Sequence, residues 1–358
     1  AGFVQKFGAQ LTTACGTHRV LFDFSSSPRI DPPWTFQVPR AQFDQLMLEH
    51  ARHEGAEIAQ GRARDYRADA ERVRVTFRGA DGGDRSVDAK VLIDASGRSG
   101  FVARREGVRL PDPELNKASV YAHFRGVPVD AGVRAGDTRI VALQKLGWAW
   151  FIPLPDGVVS VGVVLDAADY RARAKGDPGE LFAAAIAAAP AAAQLMANAQ
   201  RCSDFGVESG FSYRASRYHG DRWLLAGDAG SFLDPVFSTG VQMALRSGLE
   251  AADAASAAWL TPSRPRTAPL RAYERRLVRR YHFVRRFVTG FYEASTRDMF
   301  FAPRPFWGIA GAVTTVLAGA FELGLLDRLR LRVFFLLGRL QRRLDLVPRR
   351  SAPAVSAS

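Results

Sequence analysis

The sequence predicts an α/β fold: a part with buried parallel strands, an inserted antiparallel sheet, and a helical C-terminal region. Three observations carry this. VLID (91–94) and WLLAG (223–227) are short apolar runs that end in Gly/Asp-rich loops, as buried parallel strands do. Residues 118–128, 138–145 and 148–165 read as strands of an antiparallel sheet. Beyond residue 270, apolar and Arg residues alternate at helical spacing. A chain of 358 residues that is 47% hydrophobic can bury a large core in about two domains. Cys15 and Cys202 lie far apart and form neither a metal-ligand pattern nor a disulfide framework, which points to a reducing cytoplasm. No signal peptide opens the sequence. The net charge of +13 is almost all Arg, concentrated late in the chain. It favours anionic partners. With no zinc-finger or RNA-recognition module, lipid or a solvated face is the better reading than nucleic acid.

In order along the chain, 34–39 is extended. PRAQFDQLMLEHARHEG is a helix with Pro39 near its first turn, Phe43, Leu46, Met47 and His50 on one face, and Gly55 at its end. AEIAQGRARDYRAD and RVRVTFRGADGGDRSVDAK are strands joined through the ADGGD turn. PGELFAAAIAAAPAAAQLM is helical and broken at Pro190; GVQMALRSGLEAADAASAAWL is a long helix; TPSRPRTAP is a linker. The expected divisions are 1–115 (with strands of the second domain interleaved near 1–38), 116–215 for the inserted sheet, 216–262, a helical 263–350, and a disordered tail at 351–358.

The strongest local signal is LLAGDAGSFLDPVFSTG, 224–240. An Asp at the carboxyl end of a buried strand is placed to bind a sugar hydroxyl of a ligand. The helix that starts near Gly240 presents free amides and a positive dipole end to an anion. Gly227, Gly230 and Gly240 let a ligand approach the backbone. A lone Gly-Asp is more simply a turn; the whole strand–GDA–DP–STG–helix run is not. Trp148 and Trp150, two residues apart on a strand, point the same way, and by themselves read as packed core. Lys6 alone reads as a surface lysine, and Arg40 alone as a solvated helix-start arginine.

Together these motifs carry a resemblance. The GDAG…DP…G run is similar to the second FAD fingerprint of the aromatic-hydroxylase-like flavoproteins, and VLIDASGRSG (91–100) looks like their other FAD-contacting motif. GWAWFIP (147–153) and FLDPVFSTG (232–240) resemble the W-x-W-x-I-P and F-x-x-P-x-x-S-x-G signatures of the flavin-dependent halogenases. GFVQKFGA places Lys6 in the context of that family's essential lysine. The resemblance implies an FAD-binding Rossmann-like domain, with Arg40, Asp94, Gly97, Gly227, Asp228, Pro235, Gly240 and Val241 at the cofactor. It further implies a halide at Thr239 and Gly240, and catalytic roles for Lys6, Trp148, Trp150 and Ser238. The implied reaction uses FADH2, O2 and chloride or bromide. A flavin hydroperoxide yields a hypohalous species, which passes the two Trp to Lys6 and halogenates an electron-rich aromatic, free or carrier-bound. A separate NAD(P)H-dependent flavin reductase is the implied partner. Phe237 stands where the tryptophan halogenases carry Glu, which puts tryptophan in doubt as substrate and resembles the phenol- and pyrrole-type enzymes. The rival readings are a monooxygenase or epoxidase of the same fold, and a geranylgeranyl-reductase-like prenyl-lipid reductase.

Two expectations remain. The family opens with strand–G-x-G-x-x-G–helix, which this sequence lacks, so the first βαβ unit is expected before Ala1 and the chain alone is expected to bind FAD poorly. The stretch 305–346 joins an uncharged Gly/Ala-rich segment to the basic amphipathic RLRLRVFFLLGRLQRRLDL. It suits peripheral membrane contact, a lid over the substrate pocket, or a helix pair packed on the enzyme.

Overall fold

The alternating runs and the helical periods of the sequence segregate into two compact units. They are seen in a computed structural model that describes residues 2–27, 29–143, 147–173, 177–261, 266–302 and 306–350. The expected tail at 351–358, the end of the 138–145 strand and residues 262–265 of the linker lie outside the described residues. The first unit comprises 1–42, 114–210 and 286–358; the second comprises 43–113 and 211–285. Residues 1–42 belong with the inserted sheet, and the helical region divides at 285.

The first unit is built on an eight-stranded sheet. Its strands run in the order Gln200–Arg201, Lys117–Arg125, Val159–Asp166, Trp148–Pro153, Thr138–Ala142, Gly8–Thr12, Arg19–Asp23, with Gly206–Ser209 also on Lys117–Arg125. The expected strands pair antiparallel, and Gly8–Thr12 joins them in parallel with Thr138–Ala142. The period-two pattern decides the two faces. Val120, Ala122, Phe124, Ala149, Phe151, Val161 and Val163 face helices Pro178–Ala187 and Pro190–Met196 and form one apolar core. Asp177 caps the first helix through the Gly179 amide, and Pro190 opens the second. By alternation, Trp148 and Trp150 face the other way.

The C-terminal helices Ala294–Phe301, Ile309–Leu317 and Leu325–Leu340 pack on one another and on the edge strand Arg19–Asp23. Phe22, Met299, Ile309, Val313, Phe334 and Val347 line an apolar cavity of 270 Å³ among them. Ala310, on its wall, is the place to fill it. Ala310→Leu is expected to raise stability by about 1 kcal/mol, read as a higher melting temperature; a lower one would mean the space is already packed.

The second unit has the parallel pair Leu92–Asp94 and Trp223–Leu225, extended by His219–Gly220. Beside it lie the meander Gly61–Ala68, Val73–Gly79, Asp84–Ala89 and a small sheet of Arg109–Pro111, Tyr213–Ala215 and Ser231–Phe232. Val73, Val102, Trp223, Leu224, Leu225, Ala251, Ala254, Tyr273 and Leu277 form its core. The linker ends earlier than expected: helix Thr267–Phe291 already includes Pro269, in its first turn where proline is tolerated. Helix Arg40–His53 ends near Gly55, at φ +95° as expected, yet none of its residues is buried, so the shared face of Phe43, Leu46, Met47 and His50 covers no core.

Candidate active site

Trp148 and Trp150 lie side by side on one strand face, their ring centroids 5.6 Å apart. Gly162 sits opposite Trp150 in register, and a Cβ there would fall inside the Trp150 indole. A glycine in the middle of a valine-rich strand therefore marks the place where the ring lies flat on its neighbour. The Trp150 Nε1–H donates to Ser160 Oγ at 3.2 Å. Trp148 is fully buried, and its Nε1–H donates to Tyr292 Oη at 2.7 Å. The Tyr292 ring in turn lies 4.0 Å from the Lys117 ammonium, which pairs with Asp166 at 2.6 Å. Arg297, fully buried, donates from Nη2 to the carbonyl of Gly147, just before Trp148, at 2.8 Å. Burial lowers its pKa to about 10, against the opposing pull of Tyr292 and Asp298. Arg297 comes from helix Ala294–Phe301 and Tyr292 from the turn just before it, and nothing local in their sequence flags them. Tyr292→Phe removes one hydrogen bond from a buried indole but keeps the ring over Lys117. It is expected to cost about 1–2 kcal/mol in denaturant unfolding and to shift the tryptophan emission, and Tyr292→Ala should cost more.

Lys6 ends strand Val4–Lys6, which pairs antiparallel with Thr35–Gln37. Its side chain is buried, only 6% exposed, with Nζ 5.7 Å from the centre of the Phe24 ring. This departs from the plain surface reading of a lone lysine. Burial pushes its pKa down to about 8, and the charge of Asp137 partly opposes this. Asp137 also accepts the Phe7 amide at 3.1 Å. The strand can come this close because residue 136 is glycine: a Cβ there would collide with the Gln5 carbonyl. Gln37 closes the other side, donating to the Gly136 carbonyl at 3.1 Å and to Thr138 Oγ1 at 2.7 Å. A buried amine of this kind can donate to an oxyanion as the ammonium or, once deprotonated, attack an electrophile.

In the second unit the buried strand Trp223–Leu225 runs into Gly227 at φ +57° and a single tight turn through Asp228 and Ala229. The Gly227 amide donates to Ser247 Oγ at 2.8 Å, and a Cβ at Gly227 would press Ala244. Asp234, buried, holds the next turn by accepting the Val236 amide at 3.1 Å, with Pro235 as its first residue. Ser238 then takes φ +54° and turns the chain into helix Gly240–Ala255. Thr239 gives that helix no side-chain cap, and the space a Cβ at Gly240 would enter is open. Gly240 and Val241 thus stand at the positive end of the helix, where a halide or an anionic flavin is stabilised.

The other loop follows Leu92–Asp94. Asp94 is buried, and its carboxylate accepts the Ser96 amide at 2.9 Å and the Val102 amide at 2.7 Å. It holds its own loop in shape, and Gly97 (φ +64°) completes the turn. The two loops are tied by residues that sequence reasoning missed. Arg109 stacks 3.5 Å from the centre of the Tyr213 ring and donates to the Arg98 carbonyl at 2.8 Å. Tyr213 donates to the Asp228 carbonyl at 2.5 Å, and burial pushes its phenol up to about 12. Arg280 was missed too: it lines a narrow cleft with Gly227, Asp228, Thr239 and Gly240, and its buried Nη1 has no hydrogen-bond partner. An anionic group in that cleft would satisfy it, so these residues fit a nucleotide cofactor. Arg40, first residue of its helix and exposed, lies in the first unit. Lys6, Trp148 and Trp150 share that unit; Asp94, Gly97, Gly227, Asp228, Pro235 and Ser238–Val241 share the second.

A strand-edge Gly-Asp turn feeding an uncapped helix, with a neighbouring loop tied to it, defines a nucleotide-cofactor protein of the α/β class. Comparison with known proteins narrows this. Residues 18–314 match the tryptophan halogenase family. A 1H-pyrrole-2-carbonyl-[peptidyl-carrier protein] brominase from Pseudoalteromonas luteoviolacea is 32% identical over 270 residues, 73% of this chain and 64% of that protein. Among solved structures, a flavoprotein/dehydrogenase from Cytophaga hutchinsonii superposes with a TM-score of 0.85 at 26% identity, covering 95% of this chain and 83% of that one. The flavin-dependent brominase Bmp2 superposes with a TM-score of 0.81 at 26% identity, again covering 95% and 83%. The chain belongs to the tryptophan halogenase family. It spans between 55 and 64% of the length of the curated relatives it matches first.

Proposed function

We propose that the protein halogenates an electron-rich aromatic ring, with Lys6 as the group that delivers the halogen. The observation that carries this is the buried, pKa-lowered Lys6 in the same unit as the Trp148–Trp150 pair. Reduced FAD, when bound, would supply two of the four electrons that reduce O2; the halide gives the other two, so that hypohalous acid and water are formed. The protein's own part begins at the start of helix Gly240–Ala255, whose amides hold the halide. Trp148 and Trp150, fixed by Tyr292, Arg297 and Gly162, exclude the organic substrate from the cofactor. Hypohalous acid reaches Lys6 Nζ, where an N–halogen bond forms and water leaves. The aromatic carbon then takes the halogen, its proton leaves, and the free amine is restored. Charged as the ammonium, Lys6 can also hold hypohalous acid by hydrogen bonding.

The substrate we favour is a phenol or a pyrrole, because Phe237 leaves the 235–237 turn without the carboxylate that the tryptophan enzymes carry. A pyrrole tethered to a carrier protein is supported by the brominase relative. The reduced cofactor comes from a separate NAD(P)H-dependent reductase. In an assay coupled to such a reductase, with bromide present, a free phenol, a carrier-bound pyrrole and tryptophan are offered in parallel. Halogenation of either of the first two supports the reading; halogenation of tryptophan alone overturns it.

A further inference from the structure

The helix Leu325–Leu340 has two unlike faces. Leu331, Phe334, Phe335 and Gly338 are buried in the helical region. Leu325, Leu329, Leu336 and Leu340 recur at spacings of four, seven and four, so they share the opposite face, and all are exposed, Leu325 at 85%. Soluble surfaces seldom keep four long aliphatic chains in one row. Arg328, Arg332 and Arg339 run along one edge of this row, and Arg343 follows just past the helix end; all four are exposed. The single acid of the helix, Asp327, is buried and paired with Arg29 and Arg330. Asp345 and Glu293, acids close by, are engaged by Arg349 and Arg342.

The arginines also crowd one another. Arg286 lies 4.1 Å from the centre of the Phe335 ring, and burial, with Arg339 and Arg332 adding to it, holds its pKa below the ordinary arginine value. Like charges gathered without intervening acids are a cost that an anionic surface would relieve. Near the helix is the exposed indole of Trp307, whose carbonyl accepts from Arg330 Nε at 2.8 Å. Among the described residues no single helix is long and apolar enough to cross a membrane.

We propose that this face is a docking surface for an anionic phospholipid bilayer. The helix lies in the plane of the interface, its leucine row and Trp307 entering the acyl boundary while Arg328, Arg332, Arg339 and Arg343 meet the headgroups. A straight apolar row on a helix of 16 residues, about 24 Å long, suits a planar surface. The basic edge supplies the charge complementarity to acidic lipid. Substrate turnover plays no part in this, so it stands or falls separately from the halogenation reading.

The test is flotation of the full chain with vesicles of phosphatidylcholine alone and of phosphatidylcholine with phosphatidylglycerol. Binding is expected only to the anionic vesicles at low salt, with release at about 1 M salt and a blue shift in tryptophan emission on binding. Arg332→Glu with Arg339→Glu should lower the bound fraction at least tenfold. Leu329→Glu with Leu336→Glu should abolish the blue shift. Both pairs are at the surface, so the melting temperature should not move. Absence of flotation on anionic vesicles, or flotation that neither pair changes, overturns the proposal. So does light scattering that shows a dimer dissolved by the leucine pair, which would assign the row to a second copy.

Discussion

Lys6→Met gives a protein that is more stable at neutral pH and unable to halogenate. The stability half follows from linkage. Below pH about 8 the folded and unfolded chains both carry the Lys6 ammonium, and the folded state bears the cost of burying it. Between about 8 and the ordinary lysine value of 10.5 the unfolded chain holds more protons, so stability of the native protein rises with pH through that window. Methionine removes the buried charge. The variant is expected to gain on the order of 1–3 kcal/mol at pH 7 and to lose the rise between pH 8 and 10.5. Chemical denaturation at several pH values measures both. The activity half follows from the loss of the amine proposed to carry the halogen: product should fall by roughly two to four orders of magnitude, while reoxidation of reduced FAD continues. A variant gaining stability as it loses function is the signature of a strained active group. If Lys6→Met destabilises instead, the buried ammonium is a structural ion pair with Asp137 rather than a reactive amine.

The second large effect is at Gly136. A methyl group there collides with the backbone carbonyl of Gln5, which cannot rotate away as a flexible side chain can. Strand Val4–Lys6 must then move off the turn that Gln37 and Asp137 hold against it. Gly136→Ala is expected to cost roughly 3 kcal/mol or more, and to restore the Lys6 pKa toward that of a solvated lysine. Gly248→Ala is the control. It lies inside helix Gly240–Ala255 with open space where the methyl would go, and should stabilise slightly, by about 0.5–1 kcal/mol. Equal melting temperatures for the two variants would show that the Lys6 strand is not clamped.

What was legible in the sequence was contiguous. The Trp148–Trp150 pair, the Gly227–Asp228 turn and the start of the following helix are each written within a few residues, and the structure builds them so. The residues that support them are far away in the chain. Tyr292 and Arg297 reach Trp148 and Gly147 from the C-terminal helical region, and Arg109 and Tyr213 tie the two cofactor loops. No local pattern announces such partners. Gly162 and Gly136 were readable in part, since a glycine inside or beside a strand marks a close approach, but which neighbour approaches is a matter of register. Register also explains the parallel pairing of Gly8–Thr12 with Thr138–Ala142, because local alternation is the same for either direction. The carboxylate of Asp94 accepts two amides of its own loop, a support that no local pattern announces either.

The central claim is that these residues direct oxidising power into a carbon–halogen bond. The most direct measurement is the product mass from the reductase-coupled reaction with and without bromide. The account predicts a product with the bromine isotope doublet, formed only with bromide and absent with Lys6→Met. A hydroxylated product formed equally well without halide, and unaffected by that substitution, would contradict it.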